Sequence, residues 1–243
     1  MEFINKKSLG IIGGMGSQAS SWLLQRIIHL SKAPTDQDNL EIVLHNNSSI
    51  PDRTLAIIND GKSPLQELQR SVNILNNCKV DVALLACMTA HLYHDELNKL
   101  FHGHLLNVAQ LVFDEIINNP AYCKGKRIGL IGSTGMITTG MFQKKLEPHG
   151  FEVIVLNSDE QQKYFMDPLY GDNGIKAGVT EGKVKQLFLS QLDILTERGA
   201  DIIIGACSEV PLIVNENIAY PFIDSFDLLA RKTVDYCYNT INL

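Results

Sequence analysis

The chain has 243 residues, of which 45% are hydrophobic and 20% charged, and its formal net charge is −6. That length accommodates one large α/β domain or two lobes of about 120 residues, either able to bury a core without staples. The composition excludes a mainly disordered chain, and the negative balance argues against nucleic acid or an anionic membrane as the main partner.

Residues 1–14, MEFINKKSLGIIGG, lack a signal-peptide apolar region, and no run reaches the roughly 18 apolar residues of a membrane helix. A cytoplasmic address is therefore expected. Cys78, Cys87, Cys123, Cys207 and Cys237 are irregularly spaced and form no C-x-x-C pair. They read as thiols of a reducing compartment, special only where their surroundings make them so.

Taken in chain order, apolar runs rich in Ile, Leu and Val predict strands near 8–13, 40–46, 81–86, 104–107, 127–132, 152–156, 201–205 and 219–223. Amphipathic segments between them predict helices over 17–31, 63–78, 109–119, 135–148, 183–198 and 226–241. This alternation is the pattern of strand-helix-strand units with mostly parallel sheets, an α/β fold.

The two halves repeat. KSLGIIGGMG (7–16) aligns with KRIGLIGSTG (126–135), and VDVALLAC (80–87) with ADIIIGAC (200–207), so that Asp81 matches Asp201 and Cys87 matches Cys207. Gly13 and Cys87 are 74 residues apart, and Gly132 and Cys207 are 75 apart. The expected architecture is two similar lobes related by a pseudo-two-fold axis, lobe 1 over 1–117 and lobe 2 over 118–225. A linker is expected near 118–127, and the last helix, within 226–243, is expected to pack back onto lobe 1. In open parallel sheets, ligands bind beyond the carboxyl ends of the strands. Both cysteines stand at such ends, so facing lobes would put two thiols on opposite sides of one ligand.

A thiolate at the start of a helix is stabilised by the macrodipole and free N–H groups. Thr89 and Ser208 stand beside the two thiols, able to cap or to bind a carboxylate. One thiolate removing a proton from carbon while the opposite thiol returns one to the other face would invert a stereocentre.

Six motifs, GIIGGMG (10–16), IPDRT (50–54), ACMTAH (86–91), IGLIGSTG (128–135), GIKAG (174–178) and GACSEVPLI (205–213), occur in order along the chain. With them the chain resembles the cofactor-independent aspartate/glutamate racemase family, most closely its aspartate branch. The resemblance implies that Cys87 and Cys207 are the acid/base pair and that no cofactor is needed. It implies further that Arg53 and Lys176 hold the side-chain carboxylate of an acidic amino acid. Met88, Thr89, Ala90 and Ser208 would receive the substrate, with Met15, Thr134, Glu209 and His91 as supports, in a homodimeric enzyme. Glu209 also reads as an acid in the first turn of a helix, favoured there by the dipole.

Two departures from the family pattern matter, whereas Ser17, where the family often has Pro, is neutral. Met88 replaces the usual Asn after the first cysteine, and Ser208 replaces the usual Thr after the second. Loss of a polar contact is worth about 1–3 kcal/mol, so Met88 bears on substrate preference and efficiency, whereas Ser208 keeps its hydroxyl. The alternatives are a thiol-dependent isomerase or decarboxylase of another dicarboxylic acid, and an amino-acid-binding homologue without turnover.

Two further patterns are set aside. GMGSQA (14–19) fits a dinucleotide turn, but EIVLHNN (41–47) lacks the acidic residue expected at the end of the next strand. The clustered His91, His94, His102 and His104 fix no third metal ligand by spacing, so no metal is expected.

Overall fold

The computed structural model describes residues 6–122, 126–214 and 218–239. Cys123 lies outside the described residues, as does the middle of the segment expected as the linker. The chain divides into two compact units, Met1–Asn107 with Asp227–Leu243, and Val108–Phe226.

In the first unit, β1 (Leu9–Gly13), β2 (Ile42–Asn46), β3 (Val82–Leu85) and β4 (His104–Leu105) form one sheet in the order β2-β1-β3-β4, parallel at every pairing. Every residue of β1 and β3 is buried, as an inner parallel strand covered on both faces must be, which is why these runs are continuously apolar. The helix Leu65–Asn77 lays Leu68, Val72 and Leu75 inward at helical spacing. In the second unit, β5 (Arg127–Ile131), β6 (Glu152–Ile154), β7 (Ile202–Gly205) and β8 (Phe222–Asp224) repeat the plan in the order β6-β5-β7-β8. All three of its pairings are parallel as well.

The repeat extends to individual hydrogen bonds. Asp81 Oδ2 accepts from the backbone N–H and the hydroxyl of Ser8, at 2.8 and 2.7 Å. Asp201 Oδ2 accepts from the backbone N–H groups of Lys126 and Arg127, both at 2.9 Å. Each aspartate thus ties the entry of its third strand to the entry of its first. Those bonds hold the Asp201 carboxyl below its ordinary pKa.

The helix expected over 135–148 is broken into Thr134–Thr139 and Met141–Leu146. Gly140 adopts a left-handed conformation (φ 63°), and the Thr139 hydroxyl bonds back to Met136 O at 2.7 Å and accepts from Met141 N at 3.2 Å, ending one helix and starting the next. Residues 158–170, which carry no predicted element, are helical throughout, with a π-helical stretch over Gln161–Met166.

The first crossing between units falls at Asn107/Val108, earlier than the expected division at 117/118. The helix Val108–Asn118 belongs to the second unit, where the Phe113 ring packs at a tilt against His149 with centroids 4.4 Å apart. Among the described residues, no helix is long and apolar enough to cross a membrane.

Candidate active site

Each sheet ends in the same device. Beyond β3, the Ala86 N–H donates to Ile12 O of β1 at 2.9 Å; beyond β7, the Ala206 N–H donates to Ile131 O of β5 at 2.7 Å. One more residue brings each chain to its cysteine, at the carboxyl edge of the sheet. Cys87 and Cys207 are free thiols, 5% and 7% exposed.

In the first unit, Cys87 belongs to an apolar cluster with Ile12, Met15, Ile50 and Ala90. Met88 and Ala90 are buried, as is Thr89, which opens the 3₁₀ turn Thr89–Tyr93. His91 Nδ1 lies 3.0 Å from the Cys87 carbonyl oxygen. A carbonyl only accepts, so Nδ1 carries the ring proton. Burial pushes the imidazole down to about 4, with nearby His94 adding to the effect, so His91 is neutral near pH 7. His94, stacked on it with centroids 6.4 Å apart, bonds through Nε2 to Leu105 O at 3.0 Å. Of the histidines singled out in the sequence, His91 and His94 are thus engaged with backbone carbonyls, and the His104 ring packs against Tyr236 with centroids 5.1 Å apart. Among the described residues, no three His, Cys, Asp or Glu side chains gather as a metal would need.

Arg53 opens the helix Arg53–Ile58, which Asp52 caps by accepting from Leu55 N at 2.8 Å. Its guanidinium donates to Met15 O at 2.8 Å, Pro51 O at 3.0 Å and Ile50 O at 3.4 Å. Only 8% exposed, Arg53 joins the glycine turn after β1 to the segment after β2. The same junction makes Gly14 obligatory: it sits at φ 89°, and a Cβ there would run into the Asn47 backbone.

In the second unit Cys207 likewise belongs to an apolar cluster, with Ile131, Val210 and Ile213, and charge is added to it. Cys207 Sγ donates to Glu209 Oε2 at 3.0 Å, and the Ser208 hydroxyl donates to the same oxygen at 2.8 Å. The other oxygen, Oε1, receives Lys176 Nζ at 2.6 Å. Lys176 reaches it from the turn Ile175–Ala177, where Gly174 packs so tightly on Pro168 O that a Cβ would meet it at 2.7 Å. Burial alone would raise the Glu209 carboxyl, but Lys176 and the thiol and hydroxyl donors outweigh it and hold the group ionised. Burial and then the Glu209 charge push the Cys207 thiol up, against the pull of Lys176. Burial, the largest single effect, would lower the Lys176 ammonium, but the Glu209 carboxylate together with the Cys207 sulfur and Tyr170 outweighs it and raises its pKa. The cluster at rest is a neutral thiol, an ionised carboxylate and an ammonium. Thr134 stands apart from it, half-buried, its N–H 3.4 Å from the sulfur of Met166.

The structure therefore gathers Met15 with Arg53, Cys87 with His91, and Cys207 with Ser208, Glu209 and Lys176. Two buried polar residues were not anticipated. Asn47 donates through Nδ2 to Glu67 and Ser71 and accepts from Arg70 at 2.8 Å, beside the first glycine turn. Gln161 Nε2 donates to Gly132 O at 2.8 Å in the second. The HNN at the end of β2 was a visible signal for Asn47; Gln161, in an element without a pattern, left none.

The model of the Asp/Glu/hydantoin racemase family matches residues 12–233. The chain belongs to that family. The broad specificity amino-acid racemase RacX of Bacillus subtilis (strain 168) is 26% identical over 238 residues, covering 93% of this chain and 96% of the relative. Among solved structures, Picrophilus torridus aspartate racemase shares the fold with a TM-score of 0.78 and 24% identity over 95% of this chain and 94% of its own. The glutamate racemase of Francisella tularensis shares it with a TM-score of 0.66 and 14% identity over 98% and 83%. This racemase-family enzyme thus carries the fold of its relatives with two thiols in apolar clusters, one of them also bonded to a buried ion pair.

Proposed function

We propose that the protein racemises an acidic amino acid, aspartate or glutamate, without a cofactor, using Cys87 and Cys207 on opposite faces of the α-carbon. The observation that carries this reading is the duplicated edge: two buried free thiols, each one residue past an Ala N–H bonded to the first strand of its own sheet. In the proposed cycle the two carboxyl edges face one ligand. A thiolate on one side takes the α-proton, the electron pair is held on the α-carbon and its carboxylate, and the opposite thiol gives its proton to the far face. The product is the enantiomer, and the two sulfurs have exchanged roles.

The α-proton is far less acidic than a thiol, so most of the work lies in stabilising the carbanion-like transition state. A turnover of about 10 per second corresponds to a barrier near 16 kcal/mol. Donors and cations aimed at the developing charge, in a site closed to water, are the physical source of such stabilisation. In this reading the backbone after Cys87 (Met88, Thr89, Ala90) and the Ser208 hydroxyl receive the α-carboxylate, while Arg53 and Lys176 provide positive charge for the distal one. The homodimer belongs to the same proposal and rests on the family resemblance.

Incubation with L-aspartate and with L-glutamate in deuterated water tests it, read by NMR and chiral chromatography. Appearance of the D-enantiomer with deuterium at the α-carbon is the expected result. Carbon dioxide release, or binding without exchange, would replace the proposal with another.

A further inference from the structure

Glu209 has two oxygens and each serves a different partner. Oε1 holds the Lys176 ammonium at 2.6 Å, while Oε2 receives the protons of Cys207 and Ser208 at 3.0 and 2.8 Å. The members differ in accessibility: the Lys176 side chain is 25% exposed and that of Glu209 4%. An anion entering from solvent reaches the ammonium before it can reach the carboxylate. Besides the members of this network, the Tyr170 ring faces the ammonium, 5.5 Å from its centroid.

We infer that Glu209 is a positioning residue coupling the charge of the substrate side chain to the proton of Cys207, so that a carboxylate arriving at Lys176 draws the ammonium away and Glu209 then takes the thiol proton. The inference rests on the racemase reading above and deepens it. The step balances: the S–H bond of Cys207 breaks, an O–H bond forms at Glu209 Oε2, and the positive charge that faced Glu209 faces the ligand instead. The result is a thiolate, a carboxylic acid and an ammonium-carboxylate pair, with no change in total charge. Lys176 touches Glu209 directly and has no such bond to the sulfur, so its withdrawal raises the proton affinity of the carboxylate more than that of the thiolate. An uncharged side chain offers Lys176 no new partner and leaves Cys207 protonated. Selection for acidic substrates is then exercised on kcat as well as on KM.

The test uses succinate, a dicarboxylate without an amino group or a reacting centre. Calorimetry gives its occupancy, and the thiolate of Cys207 is read as the ultraviolet difference between the protein and its Cys207→Ser variant. At neutral pH, saturation with succinate is expected to raise that thiolate signal about tenfold, an opposite charge at hydrogen-bond distance being worth a unit or more of pKa. Glu209→Gln keeps the shape but cannot accept the proton; it should bind succinate, which also verifies its fold, and show no rise. In the same variant, kcat for aspartate and for alanine should converge while their KM values stay apart. Glu209→Asp should recover part of the response.

A flat signal at full occupancy, an equal rise in Glu209→Gln, or no succinate binding would each overturn the coupling. Exchange of α-deuterium into L-aspartate separates this from the parent reading. Exchange with a flat thiolate signal sinks the coupling alone; a thiolate response with no exchange into any amino acid sinks the racemase reading alone.

Discussion

Cys87 and Cys207 sit on the same backbone device and each in an apolar cluster, but Cys207 is also bonded to a buried ion pair. The first is grouped with Ile12, Met15 and Ile50, and His91, bonded to its carbonyl oxygen, is kept neutral by burial. The second also lies in an ion-paired network whose carboxylate side chain is 4% exposed. Duplicated strands conserve position because the sheet demands it: a parallel ladder fixes where each strand ends, and the Ala N–H bond to the neighbouring strand fixes where the next residue points. No such demand extends to side chains beyond the ladder, so charge is free to differ between the two ends. Symmetry in this molecule is a property of the backbone, and asymmetry a property of the proton inventory.

The strongest way to break the comparison is to remove one thiol at a time. Cys87→Ala and Cys207→Ala are each expected to lower racemisation by about 10²–10⁴-fold, the range for loss of a positioned acid or base, as measured by chiral chromatography. Near-normal turnover in either variant would mean that one sulfur suffices.

Acid titration of stability sharpens the contrast in the first unit. His91 has a pKa of about 4 in the fold against an ordinary 6.5, so the unfolded chain binds its proton first. Its contribution is fully present above about 6.5 and is lost as the pH falls toward 4, a change of about 3 kcal/mol. His91→Gln should flatten that limb in urea unfolding followed across the interval.

In the second unit, Lys176→Met leaves Glu209 ionised and buried without its cation. Breaking a fully buried pair costs about 3–5 kcal/mol; with the ammonium one-quarter exposed, about 2–3 kcal/mol is expected after discounting for solvent screening. The Glu209 carboxyl is held below its ordinary value in the parent, so the pair's contribution is present above the usual carboxylate range and fades as the pH falls through the lowered one. In the variant Glu209 takes a proton earlier, so the deficit in chemical denaturation should be largest at neutral pH and shrink in acid. The smallest effect is expected for Ser208→Ala, about 0.5–1.5 kcal/mol for one hydrogen bond whose acceptor keeps other donors. Rate and stability should both be scored, since a large loss of rate with intact folding would give Ser208 a place at the reacting atoms.

Much of this architecture is legible in the chain because its signals are local. A continuous apolar run ending in Gly or Ala-Cys marks an inner parallel strand, and Asp81 and Asp201 announce the repeat before their bonds to the first strands are known. The break at Gly140 is a harder case: helical periodicity continues across it, and only the left-handed glycine with the Thr139 hydroxyl reveals two helices. The helical stretch over 158–170 has no simple apolar period, since a π-helical segment shifts the register of its faces. At the site, motif and position were readable but partnership was not. Lys176 and Glu209 are 33 residues apart, and no spacing rule links a turn after one helix to the residue after a strand. Arg53, expected as a ligand for a distal carboxylate, is found donating to three backbone carbonyls, a geometry set by the close approach of two loops.

The route of the chain bears on its biosynthesis. The first unit takes its last helical segment from beyond Asp227, where Arg26 pairs with Asp227 at 2.6 Å, Lys7 N–H bonds Cys237 O at 2.9 Å and the Tyr238 hydroxyl bonds Asp38 O at 2.9 Å. A ribosome delivers those residues only after the whole of the second unit, so the half that is started first is finished last. Until then Lys7, Arg26 and Asp38 lack these partners, and a truncation that spares every residue near the sulfurs would still leave them so.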